Sequence, residues 1–160
     1  MTLCIQNVTK EEAEKFLLAD PVLCERALPD DELDMIQTCG EYSPNENANF
    51  IGICHDGLLI SVTKWEYFTD VTANLHTYIM SPLHGKNVTY DIQLALKQWF
   101  ITNTPLVKIV IIAPESCTNV HKAADISDFV LEGVLPKSVL WRGKVEGLRI
   151  YGLDLDRLRS

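Results

Sequence analysis

The chain has no apolar stretch approaching the roughly 20 residues that a membrane span requires, and its first residues, Met1-Thr-Leu-Cys-Ile-Gln6, lack the basic region and long apolar run of a secretory signal. From sequence the protein is expected to be soluble and cytoplasmic, with no membrane partner. Its five cysteines, Cys4, Cys24, Cys39, Cys54 and Cys117, include no Cys-x-x-Cys pair, which excludes zinc-ribbon and thioredoxin-like spacings. An odd, scattered set reads as reduced, mostly buried thiols. His55, His76, His84 and His121 lack zinc-ligand spacing too, so no metal site is expected. Without a secretory route the sequons Asn7-Val-Thr9 and Asn87-Val-Thr89 are chance matches to the glycosylation pattern. No repeat or low-complexity segment is present.

Positive charge is scarce in the first third. Residues 1–50 carry eleven acids against three bases, while 51–160 carry eleven of each, so the whole net charge of −8 belongs to the first segment. Such a surface repels nucleic acid and attracts something basic. Asp30, Asp31, Glu32 and Asp34 are the candidate partner-binding residues, for a protein with a basic surface; a solvated helix face is the plainer reading of the same charges.

What is present is enough for one domain, 1–160, with a core that needs neither disulfide nor metal. The clearest pattern runs from Leu75 to Pro114. Leu75 to Met80 reads as a strand, Pro82 to Asn87 as a turn, Val88 to Phe100 as a helix, and Val107 to Ala113 as a strand apolar everywhere except Lys108. A crossover helix of this length predicts parallel strands and a right-handed connection. Within the helix Ile92, Ala95, Leu96, Trp99 and Phe100 form a core stripe.

Before this unit, Leu3 to Val8 reads as a strand and Thr9-Lys-Glu-Glu12 as a capping box, opening a helix that ends at Asp20-Pro21. Pro21 to Ala27 is a second short helix, and a third starts near Pro29 with Leu33 and Ile36 facing inward. Gly40 to Asn49 is a loop. Phe50 to His55, then Asp56-Gly57, then Leu58 to Trp65 carries the signal of a type I′ hairpin, and a further strand begins near Val71. After the apolar strand come a turn, a helix over Val120 to Asp128, and strands over Phe129 to Val134 and Leu148 to Leu153 with a Pro- and Gly-containing connection between them. The tail from Asp154 shows no packing signal beyond its two leucines. The fold class is α/β, a mixed, mostly antiparallel sheet of six or seven strands with one parallel pair and helices on both faces.

The loop His84-Gly85-Lys86-Asn87-Val88-Thr89 lies where phosphate would meet free backbone N–H groups and the positive end of a helix dipole. Here the sequence resembles the GNAT N-acetyltransferase superfamily, whose acetyl-CoA loop reads Arg/Gln-x-x-Gly-x-Gly/Ala. His84 stands for the basic or amide residue, Asn87 for the first glycine and Thr89 for the second. The order of elements resembles the GNAT layout along nearly the whole chain, and Asp128-Phe129-Val-Leu-Glu-Gly133 is similar to the family's Gly-Phe-x-x-Glu-Gly run. In that family the strands flanking the central helix splay apart and admit the pantetheine arm. The resemblance implies acetyl-CoA or CoA as cofactor, with Met80, His84, Gly85, Lys86, Asn87, Val88, Thr89 and Asn119 as binding residues.

Acetyl transfer needs a base for the amine and an acid for the departing thiolate. Many GNAT enzymes use a tyrosine about seven residues beyond an asparagine; counted from Asn119 that position is Ile126, and counted from Phe129 it is near Ala124. Tyr78 and Tyr151 are the alternatives, with His76 as candidate base, and each of these is as readily structural. Ser116-Cys117 follows a buried strand but lacks a nucleophile elbow, and Trp65, Tyr67 and Phe68 are acceptor-pocket candidates or core. Loss of the loop glycines and of the usual acid points to a non-catalytic binding or assembly protein, a pseudoenzyme without cofactor; GNAT-like proteins of this size are encoded by bacteriophages, some linked to head assembly, which would place it in host cytoplasm or virion. The alternative is a divergent acetyl-CoA-dependent N-acetyltransferase acting on a basic amine or lysine. Self-association is open.

Overall fold

The structure, a computed structural model, describes residues 2–42 and 44–160. Its strands are β1 (Leu3–Asn7), β2 (Asn49–His55), β3 (Leu58–Tyr67), β4 (Thr72–Ile79), β5 (Lys108–Pro114), β6 (Val130–Trp141) and β7 (Lys144–Asp154). The helices are α1 (Lys10–Leu18), α2 (Pro21–Ala27), α3 (Asp30–Cys39), α4 (Val88–Asn103), α5 (Thr118–Ile126) and α6 (Leu155–Arg159). One sheet runs in the order β1-β2-β3-β4-β5-β7-β6, and β4 with β5 is its parallel pair. Strand β5 therefore lies inside the sheet, as its apolar run from Ile109 to Ala113 requires. No helix among the described residues is long and apolar enough to cross a membrane.

The chain divides into two compact units, Met1–Trp65 with His76–Thr89, and Glu66–Leu75 with Tyr90–Ser160. In the first unit α1 starts from the capping box: Thr9 Oγ1 accepts from the Glu12 N–H at 3.1 Å, and Glu12 Oε2 accepts from the Thr9 N–H at 2.8 Å. Asp20 then caps α2, with Pro21 in the first turn. Ala13 and Leu17 of α1, Leu23 and Leu28 around α2, and Val62 and Tyr78 of the sheet make its core. Asp56 and Gly57 both take positive φ, +50° and +80°, giving the type I′ turn expected between β2 and β3.

In the second unit Ile92, Leu96 and Phe100 of α4 are buried, and Ala95 and Trp99 are half-buried. Three sequence expectations need correction here. The connection drawn between the last strands is itself strand: β6 extends to Trp141 and β7 begins at Lys144, joined by Arg142 and Gly143 at φ +51° and +75°. Pro136 and Gly143 suggested a loop, but Pro136 sits in a register shift of the ladder between Leu135 and Val139, where a missing N–H is tolerated on an edge strand. The tail is helical and anchored, with Arg159 donating to the carbonyls of Ile101, Leu106 and Thr104 at 3.0, 2.6 and 2.8 Å. Tyr67 and Phe68, read as core or pocket, are 55% and 62% exposed, because β3 ends at the turn that leads into β4. The thiols also divide otherwise than expected: Cys24 and Cys54 are buried, Cys117 is half-buried, and Cys4 and Cys39 are exposed.

Candidate functional site

The loop that precedes α4 is built from the first unit. Ser81–Leu83 make one 3₁₀ turn after Met80, and Gly85 takes φ +74°, which a side chain would strain. The N–H groups of Leu83, His84, Lys86 and Thr89 are held by carbonyls of Met80, Ser81, Leu83 and Lys86. For those of Gly85, Asn87 and Val88 no acceptor is found among the described residues. Gly85 and Asn87 are exposed and Val88 is buried at the start of a sixteen-residue helix, where backbone donors and the positive end of the helix dipole suit an anion. Lys86, exposed beside them, adds a mobile positive charge.

The loop is fastened from behind by α2. Asp20 uses one carboxylate oxygen to cap α2, accepting from the Leu23 N–H at 3.1 Å, and the other to accept from the Ser81 N–H at 2.7 Å. Burial alone would raise the Asp20 carboxyl, but the hydrogen bonds from Ser81 and Leu23 bring it below the usual value. Arg26 donates to His84 Nδ1 at 2.8 Å, so Nε2 carries the ring proton and donates to the Ile79 carbonyl at 2.7 Å. Both ring nitrogens are therefore committed to the scaffold, and His84 acts as a brace where the resemblance suggested a phosphate contact. Asp20-Pro21 was readable as a helix boundary. That the second oxygen of Asp20 reaches a turn 61 residues away had no signal in the sequence.

The remaining candidates lie on other elements of the two units. His76 lies half-buried on β4, and burial, reinforced by the Lys64 ammonium, pushes its pKa down to about 4. Lys64, 6% exposed, lies with its Nζ 3.7 Å from Glu32 Oε1. Glu32 thus faces inward and forms an ion pair, leaving Asp31 and Asp34 as exposed acids of α3 with Asp30 half-buried. Tyr78, 2% exposed, belongs to the core of the first unit. Tyr151, also 2% exposed, packs on His121, with ring centroids 5.6 Å apart. Asn119 and Ile126 are exposed on α5, and Ala124 is buried. Ser116 Oγ donates to Glu146 Oε1 at 2.6 Å, while burial, with Glu146 nearby, raises the Cys117 thiol. Such a thiol is a poor nucleophile. Among the described residues no three metal-ligating side chains come together.

No protein-family model matches the sequence, and no curated protein matches it. Solved structures do. A spermidine N-acetyltransferase from Vibrio cholerae, in complex with CoA and spermine, superposes with a TM-score of 0.76 at 12% identity over 99% of this chain and 98% of that one. RimL, a ribosomal L7/L12 alpha-N-protein acetyltransferase in complex with CoA, gives 0.73 at 12% identity over 98% and 96%. A protein assigned as a phosphinothricin N-acetyltransferase gives 0.73 at 17% identity over 96% and 99%. With seven strands, one parallel pair and the helix between them in the same order, the chain has the fold of the GNAT N-acetyltransferases.

Proposed function

We propose that the protein binds CoA or acetyl-CoA at the loop before α4 and transfers the acetyl group to a basic amine. The observation that carries this reading is the set of backbone N–H groups at Gly85, Asn87 and Val88 for which no acceptor is found among the described residues, beside Lys86. Backbone donors bind phosphate whatever the side chains are, so Asn87 and Thr89 in place of glycines alter the loop's bulk and keep its donors. Bound there, the cofactor would supply an activated thioester. The structures of the spermidine enzyme and of RimL contain CoA, which supports CoA as the ligand to test.

The chain's own part is to hold the phosphates through Gly85, Lys86, Asn87 and Val88 and to draw a basic acceptor toward its acidic first third. His76, with its pKa near 4, is neutral at neutral pH and is too weak a base to take the proton from an acceptor ammonium and free its lone pair for attack. An amine that arrives already deprotonated fits such a residue better than one that must be activated.

A second reading, a non-catalytic binding or assembly protein on the same scaffold, is favoured by the residues at the two acid registers, since Ala124 and Ile126 carry no proton donor. Phage head assembly belongs to this reading and rests on the resemblance alone. The thermal midpoint with and without saturating CoA and acetyl-CoA tests both. A ligand at about 100 times its Kd stabilises by roughly 2.7 kcal/mol, which is several degrees for a domain of this size. A shift together with thiol release over an amine panel establishes the transferase. A shift without turnover favours the binding protein, and no shift at millimolar cofactor removes the cofactor from both.

A further inference from the structure

Cys4 and Cys54 stand directly opposite each other in the antiparallel β1–β2 ladder, in a register that runs unbroken from Leu3↔His55 to Asn7↔Ile51. Residues so paired have Cα atoms about 4.5–5.5 Å apart, within the window of about 4.4–6.8 Å that a disulfide spans. Their side chains share one face of the sheet. Cys4 is exposed and Cys54 is 5% exposed. Burial first, and then the facing Cys4, raises the Cys54 pKa. The other cysteines are placed differently. Cys24 donates its thiol to the Leu17 carbonyl at 3.0 Å, Cys39 ends α3, and Cys117 precedes α5.

We propose that Cys4 and Cys54 form an intrachain cross-strand disulfide by exchange with a low-molecular-weight disulfide such as oxidised glutathione. The accessible Cys4 thiolate attacks one glutathione sulfur; the S–S bond of the reagent breaks and one glutathione leaves as thiolate, taking up a proton. Cys54 then loses its proton and attacks the Cys4 sulfur of the mixed disulfide, releasing the second glutathione. Two protein thiols are oxidised by two electrons, and one glutathione disulfide is reduced to two thiols. The second step is the slow one, because the buried Cys54 is reluctant to ionise. Closure requires the two Cβ atoms to approach by about 1 Å from their usual cross-strand separation. Strand β1 can yield this, since it has five residues and lies at the edge of the sheet. The bond would fasten that edge to β2 in the oxidised state and release it on reduction.

The experiment incubates the intact folded chain with oxidised glutathione, quenches with acid, and alkylates after unfolding for mass analysis. The expected result is a fall from five alkylatable thiols to three, no glutathione adduct, and a reducible peptide joining Cys4 to Cys54. The Cys4→Ser variant should keep every remaining thiol alkylatable, and Cys54→Ala should accumulate glutathione on Cys4. Because Cys4 is exposed, Cys4→Ser is the control least able to disturb folding. A wild-type chain that retains glutathione on Cys4 with Cys54 still alkylatable, or that pairs Cys4 with another cysteine or another chain, overturns the proposal.

Discussion

Lys108 of β5 and Glu132 of β6 form an ion pair that passes over Gly152 of the strand between them, β7. A Cβ at position 152 would lie 2.5 Å from Lys108 Cε and 2.6 Å from Glu132 Cδ. The glycine is therefore the space through which the bridge crosses. Because both partners are flexible side chains and about one-third exposed, their pair is worth at most about 1 kcal/mol. Gly52 is different in kind: a Cβ there meets the side chains of Val8 and Leu59 at 2.5 and 2.6 Å. Overpacking a core of this sort costs about 1–3 kcal/mol. In urea unfolding, Gly52→Ala should lose clearly more stability than Gly152→Ala, and equal losses would contradict this assignment of the two glycines.

Arg159 holds the end of α4 from the far end of the chain. Its guanidinium donates to the carbonyls of Phe100, Ile101, Thr104 and Leu106 and pairs with Asp156. These carbonyls include ones that a helix C-terminus leaves without partners. Arg159→Ala should cost about 1.5–3 kcal/mol, the range for hydrogen bonds to a charged group. Arg159→Lys should recover only part of it, since one ammonium cannot reproduce the planar fork. A lysine variant with the wild-type midpoint would show that charge alone matters.

His76 gives the protein an acid-side loss of stability. In the unfolded chain its pKa is near 6.5, and in the folded chain it is about 4. Below 6.5 the unfolded state binds the proton more readily, so stability should decline as pH falls from about 6.5 toward 4, by at most about 3 kcal/mol. Above 6.5 both states are neutral and this contribution is flat. Asp20, with its carboxyl lowered in the fold, adds a further loss at lower pH. Comparing the pH dependence of wild type and His76→Gln tests the point; a slope between pH 6.5 and 4 that survives the substitution unchanged would assign it elsewhere.

Asp20→Asn should loosen the loop before α4 more than it weakens α2. The amide can still cap α2 through one oxygen, yet it offers one acceptor where the carboxylate supplied two, to Leu23 and Ser81. Hydrogen exchange should rise at Ser81 with little change in the global midpoint, and CoA, if it binds at this loop, should bind more weakly. Unchanged protection at Ser81 would remove Asp20 from the loop's support.

The sequence by itself determined what depends on neighbours a few residues away. The capping box of Thr9 and Glu12, the positive φ pair at Asp56-Gly57, the buried stripe of α4 and the interior place of β5 all follow from local spacing and turn chemistry, and with them the strand and helix order of the fold. Tertiary structure alone decided what depends on distant partners. The second oxygen of Asp20 reaches Ser81, Arg26 fixes His84, and Lys64 and burial together make His76 a weak base, because each effect needs groups brought together from separate elements. The same holds for Arg159, which lies in a polar tail with no periodic signal and binds carbonyls more than fifty residues earlier. Strand β6 was underread because Pro136 and exposed side chains weaken a pattern that its ladder with β7 nevertheless sustains. Pairing register is likewise non-local, and it alone placed Cys4 opposite Cys54.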